Sequence, residues 1–499
     1  MSNQKELIFA EVNGVSPSQL FAVVANKPYS FFLDSAEGKY KNRLGRYSFL
    51  GWDPFLILKA KANQIQLIRG TKVEQRKGDP FLALREILNR YQIKDIPQYL
   101  PPFLGGGVGY LGYDLCHFVE KVPSTAKDDL GLPDAYIAFY NSVFIIDHLY
   151  NKIFLSAISF TKKRKSKEIF EERLEEVQRS KKYPGTISPL PQGERDGMRE
   201  NVPQNFFFPL PLGERIKVRG KKNHLLNSNF TKSQYLQAVQ AAKKYIREGD
   251  IYQVNLSQRF HGKLTMAPEM LYQSLRGVNP APFAGYLNFG QIKVLSSSPE
   301  RFLKVKGREV QTRPIKGTRP RGDTEKKDKK LAEELLASTK DRAELIMIVD
   351  LERNDLGRIC EFGSVKVPEL LTLEAFPTVF HTVSTIEGQL KQGKDRIDLL
   401  KATFPGGSIT GAPKIRSMEI IDELEPTTRG IYTGALGYFG FNDTMDINIV
   451  IRTLLVKNED FYFQVGGGIV ADSDPEKEFQ ETLDKAKALI LACSRKTSG

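Results

Sequence analysis

The chain has few of the residue types that build disulfide frameworks or zinc sites. Of its 499 residues only three are cysteines, Cys116, Cys360 and Cys493, and they lie too far apart for a CxxC motif or a disulfide framework. The five histidines are isolated and show no zinc-ligand spacing. Any bound metal is therefore expected to be a hard ion held by carboxylates.

Long hydrophobic runs are also missing. No apolar stretch approaches the roughly 18 to 20 residues that cross a bilayer. The opening MSNQKELIFAEVNG has no basic segment that leads into an apolar one. A composition of 40% hydrophobic and 26% charged residues is ordinary for a globular chain with a large core. We therefore expect an enzyme-sized cytoplasmic protein with no membrane partner.

Positive charge, in contrast, is in excess, with a formal net charge of +14 that would suit nucleic acid or an anionic substrate. Part of the excess is local, since residues 181–222 contain nine Lys or Arg against four acids. The chain has no zinc-finger spacing and no aromatic RNA-binding signature, and the rest of the charge is spread along it. No nucleic-acid partner is predicted.

The sequence divides into three regions. Residues 1–183 have the pattern of short strands and turns with a few helices; AYIAFYNSVFIIDHLYNKIFLSAISF predicts two strands joined around DHLYNK, and IFEERLEEVQRSKK predicts a helix. Residues 184–228 contain SPLPQGER and its near repeat FPLPLGER, which predict an inserted, disordered low-complexity linker, although NFFFPL leaves a partner-binding strip open. In residues 229–499 a helix that opens at Thr231 precedes the strand IYQVNLSQRF.

Two glutamates in this last region have a structural and a functional interpretation. Glu344 follows Asp341 by three residues, which is the spacing of a capping box. Glu481 lies in a helix that Asp474 caps, where a lysine on the same face can pair with it. Each glutamate taken alone is more often structural, but two glutamates from two helices can together hold Mg²⁺.

Three further motifs offer groups that bind anions. Gly466 to Gly468 follow a strand, and they favour a backbone cradle for a carboxylate, with a tight bend as the alternative. Thr410 lies in the glycine-bearing turn FPGGSITGAPK, which leads into a helix. Arg452 falls in the otherwise apolar strand NIVIRTL, where an arginine needs a partner such as a carboxylate.

The stretch TRPIKGTRPRG, residues 312–322, places one primary amine in a basic loop. Its two prolines and two glycines exclude a helix, and Lys316 lies at its centre. A structural alternative is a lysine that pairs with an acid across the loop.

Several motifs occur in the order found in one family. SPERF, QTRPIKGTRPRG, DRAELIMIVDLERNDLGR, GSVKVPEL, FPGGSITGAPKIRSMEIIDELEP and GGGIVADSDPEKEFQET cover nearly all of residues 231–495 and resemble the chorismate-utilising enzymes. Residues 1–180 resemble the N-terminal part of the anthranilate synthase and aminodeoxychorismate synthase large subunits. The resemblance implies an α/β (α+β) fold, a single intertwined unit of two antiparallel β-sheets packed as a sandwich with helices outside.

The resemblance also implies roles for individual residues. Glu344 and Glu481 match the two glutamates that hold Mg²⁺, which binds the C1 carboxylate of chorismate. Glu300 of SPERF matches the general acid/base near the C4 hydroxyl. The matches to the substrate pocket are Thr410, Arg452, His381 and the amides of Gly466, Gly467 and Gly468.

Two positions distinguish members of the family. Isochorismate and salicylate synthases carry a lysine base where this chain has Gln253, so activation of water at C2 is disfavoured. Anthranilate synthases have PIAGT where this chain has PIKGT, and a lysine there resembles the aminodeoxychorismate synthase large subunits. The resemblance thus implies that Lys316 is a nucleophile that attacks C2, with anthranilate formation as the alternative.

This role sets requirements on the surroundings of Lys316. The amine must be neutral to attack, so its pKa must fall from about 10.4. Burial, Mg²⁺ and the charges of Arg313, Arg319 and Arg321 are expected to lower that pKa. No cysteine lies in a nucleophile elbow, so ammonia is expected from a separate glutaminase subunit. The segments FFLDSA and NPAPFAGYL are candidates for a tryptophan pocket, which the sequence neither establishes nor excludes.

Overall fold

Two large β-sheets dominate the computed structural model, which describes residues 5–35, 44–161, 164–181, 216–218, 224–376 and 379–494. In chain order the strands are β1 (Glu6–Glu11), β2 (Ser30–Asp34), β3 (Tyr47–Gly51), β4 (Leu56–Lys61), β5 (Gln64–Arg69), β6 (Lys72–Lys77), β7 (Gly106–Leu111), β8 (Ala135–Tyr140), β9 (Ser142–Asp147), β10 (Lys152–Ser159), β11 (Ile216–Val218), β12 (His224–Ser228), β13 (Gln253–Lys263), β14 (Phe283–Phe289), β15 (Ile292–Ser298), β16 (Arg301–Lys306), β17 (Glu309–Arg313), β18 (Ile315–Pro320), β19 (Lys366–Ala375), β20 (Val379–Gln389), β21 (Gly411–Ala412), β22 (Ala435–Gly440), β23 (Thr444–Ile449), β24 (Thr453–Lys457) and β25 (Asp460–Ile469). The helices are α1 (Pro17–Asn26), α2 (Pro80–Tyr91), α3 (Ser166–Arg179), α4 (Lys232–Arg247), α5 (Pro268–Val278), α6 (Glu325–Ala337), α7 (Thr339–Ile359), α8 (Arg396–Thr403), α9 (Lys414–Leu424) and α10 (Pro475–Ser494), with short 3-10 turns at Tyr113–Phe118 and Gly407–Ile409.

The strands form two antiparallel sheets, as the sequence predicts. The first, sheet A, has the order β1-β10-β9-β3-β2-β14-β15-β24-β25-β13-β12-β11, and β21 pairs with β13. The second, sheet B, has the order β18-β20-β17-β16-β23-β22-β7-β8-β4-β5-β6, and β19 pairs with β20. The predicted fold class is therefore confirmed.

The N-terminal region and the catalytic region share both sheets. In sheet A, β2 pairs with β14 so that Phe32 lies opposite Tyr286. In sheet B, β7 pairs with β22 so that Gly109 lies opposite Gly437. Because each sheet contains strands from both sides of the predicted linker, the two regions form one intertwined unit.

The buried apolar side chains form three clusters that correspond to layers. One cluster joins β2 and β3 of sheet A to β7 and β8 of sheet B, through residues such as Phe31 and Val108, and it fills the space between the sheets. A second packs α4, α5 and α10 on sheet A, and a third packs α2, α7 and α8 on sheet B. Helices therefore cover the outer faces of both sheets.

Helix boundaries follow capping chemistry where the sequence signals are strong. Thr231 caps α4 with a full capping box, as predicted, and Asp474 caps α10 by accepting the Lys477 amide at 3.0 Å. The predicted cap at Asp341 is wrong. Ser338 caps α7 by accepting the amide of Asp341 at 3.3 Å, so Glu344 lies beyond the capping position and is not a capping-box residue.

The predicted two-strand segment between residues 135 and 160 is wrong in its first half. The structure has three strands there, because Asn141 separates β8 from β9, and these two strands belong to different sheets. The turn after β9 lies where the sequence predicts it, and α3 confirms the predicted helix.

Most of the predicted linker, residues 184–228, lies outside the described residues, as does the NFFFPL run. Its last part contains β11 and β12, which the linker prediction did not include. β12 pairs with β13, and Leu226 is 2% exposed in the core beside sheet A. The chain therefore rejoins the fold before residue 229.

The three cysteines are buried and unpaired, which agrees with the absence of a disulfide framework. None of the helices in the described residues has the length and apolar run that a transmembrane span requires.

Candidate active site

Lys316 lies in β18, at the end of sheet B. Its strand pairs with β20, and the register shifts between Lys316 and Thr318. Gly317 forms this bulge with a φ of 71°, and a Cβ there would lie 2.9 Å from Thr382 Oγ1. A glycine is required for this conformation, and the bulge reorients the neighbouring lysine.

The Lys316 amine has one hydrogen bond, to the Ser408 carbonyl at 3.5 Å. Burial lowers the pKa of Lys316 below its ordinary value, and the nearby charge of Lys485 adds to this shift. The carboxylates of Glu344, Glu300 and Glu481 oppose the shift, which also places them in electrostatic reach of the amine.

The three arginines near Lys316 in sequence are bound to acids. Arg313 contacts Glu374 at 2.7 Å, Arg319 contacts Asp341 at 3.1 Å, and Arg321 contacts Asp328. Their charges are therefore neutralised locally. Burial and the charge of Lys485 lower the pKa of Lys316, whereas the sequence assigned this effect partly to the three arginines.

Glu300 lies between β15 and β16 and is 5% exposed. Burial raises its pKa to about 7, although the hydrogen bond from Ser408 and the charge of Lys316 act in the opposite direction. Ser408 Oγ donates to Glu300 Oε1 at 2.6 Å. A carboxyl group with this pKa can give and take a proton near neutral pH.

Two helices bring Glu344 and Glu481 to the same site. Burial raises the pKa of Glu344, and the negative charge of Glu481 contributes to that shift. Burial also acts to raise the pKa of Glu481. Its ion pair with Lys485 at 2.8 Å outweighs this effect, so the pKa of Glu481 is lowered. The expected salt bridge on α10 and the placement of Glu481 near a second carboxylate are thus both present. Lys340 lies 3.9 Å from Glu344.

The residues around these carboxylates fit a magnesium ion. No group of three or more His, Cys, Asp or Glu side chains in the described part of the chain has the arrangement of a preformed metal site. Mg²⁺, however, needs only one or two protein carboxylates, because water and ligand oxygens complete its shell. A Cβ on Gly467 would lie 3.5 Å from Glu481 Oε1 and 3.3 Å from Glu478 Oε2, so the glycine leaves open space beside the acids.

The glycines Gly466 to Gly468 lie inside β25, so the alternative of a tight bend is wrong. Gly467 is paired opposite Leu256 of β13. β24 pairs with β25 only as far as Phe463, so the other edge of the glycine run is not covered by a strand within the described residues. The Gly466 carbonyl accepts a hydrogen bond from Lys485 at 2.8 Å.

Thr410 lies at the end of the glycine turn and is fully buried. Its hydroxyl donates to the carbonyls of Gly406 at 3.0 Å and Gly407 at 3.3 Å. The hydroxyl must rotate away from these carbonyls to donate to an anion.

Arg452 is not in a strand, contrary to the prediction, but in the link between β23 and β24, with a φ of 48°. Its hydrogen-bond partner is the Asn279 side chain, at 3.2 Å, and not a carboxylate. Burial lowers the pKa of Arg452 to about 10, and the charge of Glu300 opposes the shift. The arginine therefore keeps its positive charge at neutral pH.

His381 is 1% exposed in β20, and burial lowers its pKa to about 3, with a further contribution from Arg452. Its Nδ1 lies 3.0 Å from Thr318 Oγ1 and 3.3 Å from the Gly317 carbonyl. The Nε2 atom is buried and has no hydrogen-bond partner among the described residues. The neutral ring thus keeps one nitrogen available next to the bulge.

The sequence profile of chorismate binding enzymes matches residues 29–491. The chain belongs to this family. Anthranilate synthase component 1 of Thermus thermophilus is 42% identical over 485 residues, which cover 97% of this chain and 96% of that protein. Aminodeoxychorismate synthase component 1 of Bacillus subtilis is 36% identical over 474 residues, which cover 95% and 93%.

The solved structures agree with this assignment to the chorismate binding enzymes. Anthranilate synthase component I of Streptococcus pneumoniae superimposes with a TM-score of 0.73 at 33% identity, over 89% of this chain and 92% of that one. The menaquinone-specific isochorismate synthase of Escherichia coli shares the fold, with a TM-score of 0.68 at 17% identity over 98% and 95% of the chains. This chorismate binding enzyme is of the anthranilate synthase component I type.

The structure adds site residues that the sequence reasoning missed. Glu478 is 5% exposed, precedes Glu481 by one helical turn and accepts a bond from Ser473 at 2.6 Å. Its i, i+3 spacing from Glu481 was the available signal. Ser408 lies two residues before Thr410 in the same turn, but no sequence pattern connects it to Glu300.

Proposed function

We propose that this chorismate binding enzyme is aminodeoxychorismate synthase component I, which converts chorismate and ammonia to 4-amino-4-deoxychorismate. The observation that carries the proposal is the position of the Lys316 amine, which lies within electrostatic reach of Glu300 and of the two acids Glu344 and Glu481. Burial favours the neutral amine, which is the nucleophilic form.

In the first step, the neutral Lys316 amine forms a bond to C2 of chorismate. The C1=C2 double bond moves to C1=C6, the C5=C6 double bond moves to C4=C5, and the C4–O bond breaks. Glu300 gives its proton to the departing hydroxyl, which leaves as water. This step leaves a cationic secondary amine on C2 and an ionised Glu300. Positioning both groups in one buried site replaces two unlikely encounters in water.

In the second step, ammonia forms a bond to C4, both ring double bonds shift back to C5=C6 and C1=C2, and the C2–N bond to Lys316 breaks. Lysine leaves as the neutral amine, and the new ammonium group on C4 gives one proton to Glu300. Both residues therefore return to their starting protonation states. The net reaction consumes chorismate and ammonia and yields the 4-amino product and water.

The other predicted residues bind and orient the substrate in this proposal. Mg²⁺, when held by Glu344 and Glu481, supplies positive charge for the C1 carboxylate. Arg452 is a buried cation without a carboxylate partner in the described residues, which suits it to the enolpyruvyl carboxylate. The remaining contacts are assigned to Thr410, His381 and the amides of Gly466, Gly467 and Gly468.

Ammonia is assigned to a separate glutaminase subunit. The three cysteines are buried, and burial raises the pKa of each thiol, which disfavours the thiolate that a glutaminase nucleophile requires. A cytoplasmic location stays a prediction from the sequence.

Anthranilate synthase component I is the second candidate, because the relative at 42% identity carries that name and the relative at 36% carries the other. In that case ammonia attacks C2 directly, and Lys316 has only an electrostatic role. Product identity separates the two functions.

The test is product analysis with chorismate, Mg²⁺ and ammonium. The wild-type protein is expected to form 4-amino-4-deoxychorismate, and Lys316→Ala is expected to lose that product and form some 2-amino-2-deoxyisochorismate, since the cavity beside C2 can admit ammonia. Lys293→Ala, which removes a half-buried lysine bonded to the Gly290 carbonyl at 2.7 Å, is the matched control. A Lys316→Ala protein that keeps the 4-amino product above about a tenth of the wild-type rate contradicts the nucleophile role.

We also propose that the FFLDSA and NPAPFAGYL segments form a tryptophan pocket. A cavity of about 510 Å³ lies between them, lined by Asp34, Ser35, Pro282, Phe283 and Ala284 among others. Its size suits an aromatic amino acid. Calorimetric titration with tryptophan tests the proposal, with phenylalanine as the comparison ligand, and the absence of tryptophan binding contradicts it.

A further inference from the structure

Ser408 contacts two groups of the proposed chemistry at once. It is 4% exposed, and its hydroxyl donates to Glu300 Oε1 at 2.6 Å. Its backbone carbonyl accepts from the Lys316 amine at 3.5 Å. Ser408 therefore contacts both the proposed proton donor, Glu300, and the proposed nucleophile, Lys316.

The backbone around Ser408 is held on its other side. Asn255 in β13 donates its side-chain amide to the Ser408 carbonyl at 3.1 Å and its backbone amide to the Thr410 carbonyl at 2.8 Å. Arg429 donates to the Ile409 carbonyl at 3.0 Å. Three successive carbonyls of the turn are thus fixed by donors from outside it.

The residues that hold this turn are themselves buried. The side chains of Arg429 and Glu425 are 1% and 2% exposed and form an ion pair at 2.8 Å. Arg429 also donates to the Asn255 carbonyl at 2.7 Å, which ties the ion pair to β13. A buried and fully bonded pair of this kind is rigid, so it restricts the movement of Ser408.

We propose that Ser408 is a positioning residue that holds the Glu300 carboxyl group in register with Lys316 and stabilises its ionised form after proton transfer. This inference rests on the proposed role of Glu300 as the proton donor. It does not depend on which amino product is formed, because both candidate reactions remove the C4 hydroxyl.

The direction of the effect follows from the charges that face Glu300. Ser408, Lys316 and Arg452 all favour the ionised carboxylate, whereas burial opposes it. Glu352 of α7 also lies within electrostatic reach, and burial raises its own pKa well above the ordinary value, which favours its neutral form. Loss of the Ser408 hydroxyl removes one stabilising bond and leaves Lys316 and Arg452 in place.

The experiment measures chorismate consumption against pH with saturating Mg²⁺ and ammonia. The protonated acid is the active form, so the rate falls as pH rises through the pKa of Glu300. In Ser408→Ala this alkaline limb is expected to move upward by about one pH unit, since a hydrogen bond to a charged group has about that effect. The plateau at lower pH is expected to fall about tenfold because the carboxyl group is less well positioned.

Conservative variants separate this role from a general structural one. Ser408→Thr keeps the hydroxyl and is expected to restore both the limb and the plateau, and Ser408→Cys, a weaker donor, is expected to lie between Thr and Ala. Ser156→Ala removes another fully buried hydroxyl, which donates to the Leu104 carbonyl at 2.6 Å, and is expected to leave the limb unmoved.

Two outcomes overturn the inference: an unmoved alkaline limb in both Ser408→Ala and Ser408→Cys, or the same shift in Ser408→Thr as in Ser408→Ala. Failure of the underlying function is distinguishable, because Glu300→Gln would then retain chorismate consumption.

Discussion

Glu300 and Lys316 carry opposite charges in water at neutral pH, and burial moves both toward their neutral forms. It raises the pKa of Glu300 to about 7 and lowers that of Lys316. A neutral acid can give a proton and a neutral amine can attack, so the exclusion of water prepares both groups for the proposed first step.

The pH dependence of chorismate turnover should show these two groups with opposite signs. The rate is expected to fall as pH rises through about 7, because Glu300 loses the proton it must donate. It is expected to rise with pH as the fraction of neutral Lys316 grows, because burial lowers the pKa of this amine below the ordinary lysine value. The measurement is kcat/KM with the concentration of free ammonia held constant. An alkaline limb that persists in Glu300→Gln would belong to another group.

Substitution of either proposed magnesium ligand, Glu344 or Glu481, should abolish Mg²⁺ binding without unfolding the protein. Glu344→Gln and Glu481→Gln keep the side-chain volume but remove the charged oxygen that a hard ion prefers. Calorimetry with MgCl₂ alone and thermal unfolding are the measurements. Glu334→Gln, which breaks an exposed 3.8 Å pair with Lys330, is the matched control and should leave both unchanged. Near-normal Mg²⁺ affinity in either variant would remove that residue from the ligand set.

Residue types and motif order were sufficient to propose the site residues, and the structure brings Glu300, Glu344 and Glu481 into electrostatic reach of Lys316. The backbone conformation was not predictable. The apolar pattern around Arg452 predicted a strand, but Arg452 has a positive φ, which interrupts a strand. A bulky residue adopts such a φ only when its surroundings impose it, and a local pattern does not show those surroundings. The inward hydrogen bonds of Thr410 likewise depend on a turn geometry that no spacing encodes.

At the scale of elements, β25 and α10 face each other across Gly467. A Cβ on that glycine would lie 3.3 Å from Glu478 Oε2 and 3.5 Å from Glu481 Oε1, so it would crowd the acids of α10. Gly467 therefore keeps space between β25 and the acids of α10, whereas the Cβ positions of Gly466 and Gly468 face β13.

Gly467→Ala is expected to weaken Mg²⁺ binding at least about tenfold, because its Cβ would lie 3.3 Å from Glu478, which must shift, and 3.5 Å from Glu481, and would occupy the space beside both acids. The measurement is calorimetric Mg²⁺ affinity. Gly357→Ala in α7 is the matched control, since nothing lies within 4 Å of its Cβ position, and it should stabilise the protein by about 0.5 to 1 kcal/mol. Unchanged Mg²⁺ affinity in Gly467→Ala would contradict this expectation, because it would show that a Cβ at this position does not disturb the acids of α10.

Element types were predictable and element ends were not. The helix pattern of α7 was plain, but Ser338 begins it and not Asp341, because both residues are good caps and the choice depends on the preceding chain. The split between β8 and β9 at Asn141 was not recognised, because only Asn141 and Ser142 interrupt the apolar residues of two strands that are both fully buried.

On the scale of the whole molecule, both sheets depend on strands from opposite ends of the chain. The pairings of β2 with β14 and β7 with β22 join residues hundreds of positions apart, which local patterns cannot reveal. The resemblance to a known family predicted this intertwining, whereas composition and periodicity alone predicted only a mixture of helices and strands.

The segment between α3 and β11 should tolerate replacement up to the point where the sheet begins. Substituting residues 184–213 by a Gly/Ser sequence of equal length is expected to leave ammonia-dependent turnover within about threefold, because a low-complexity linker is expected to add few buried contacts. Extending the substitution through residue 228 should destabilise the protein by several kcal/mol, since it removes β12 and the buried Leu226. Thermal unfolding and turnover are the measurements. Lost turnover in the shorter replacement would assign the linker a structural or binding role.

The pairing of β7 with β22 also determines the order in which the protein can be completed during synthesis. β7 leaves the ribosome when its partner, about 320 residues later, has not been made, and at about 5 to 20 residues per second it waits roughly 15 to 65 s. During that interval an apolar strand has no neighbour on one edge, which is the condition under which nascent chains associate with each other. The yield of soluble protein in a cell is therefore governed by elongation rate, growth temperature and chaperone supply as well as by the stability of the finished fold.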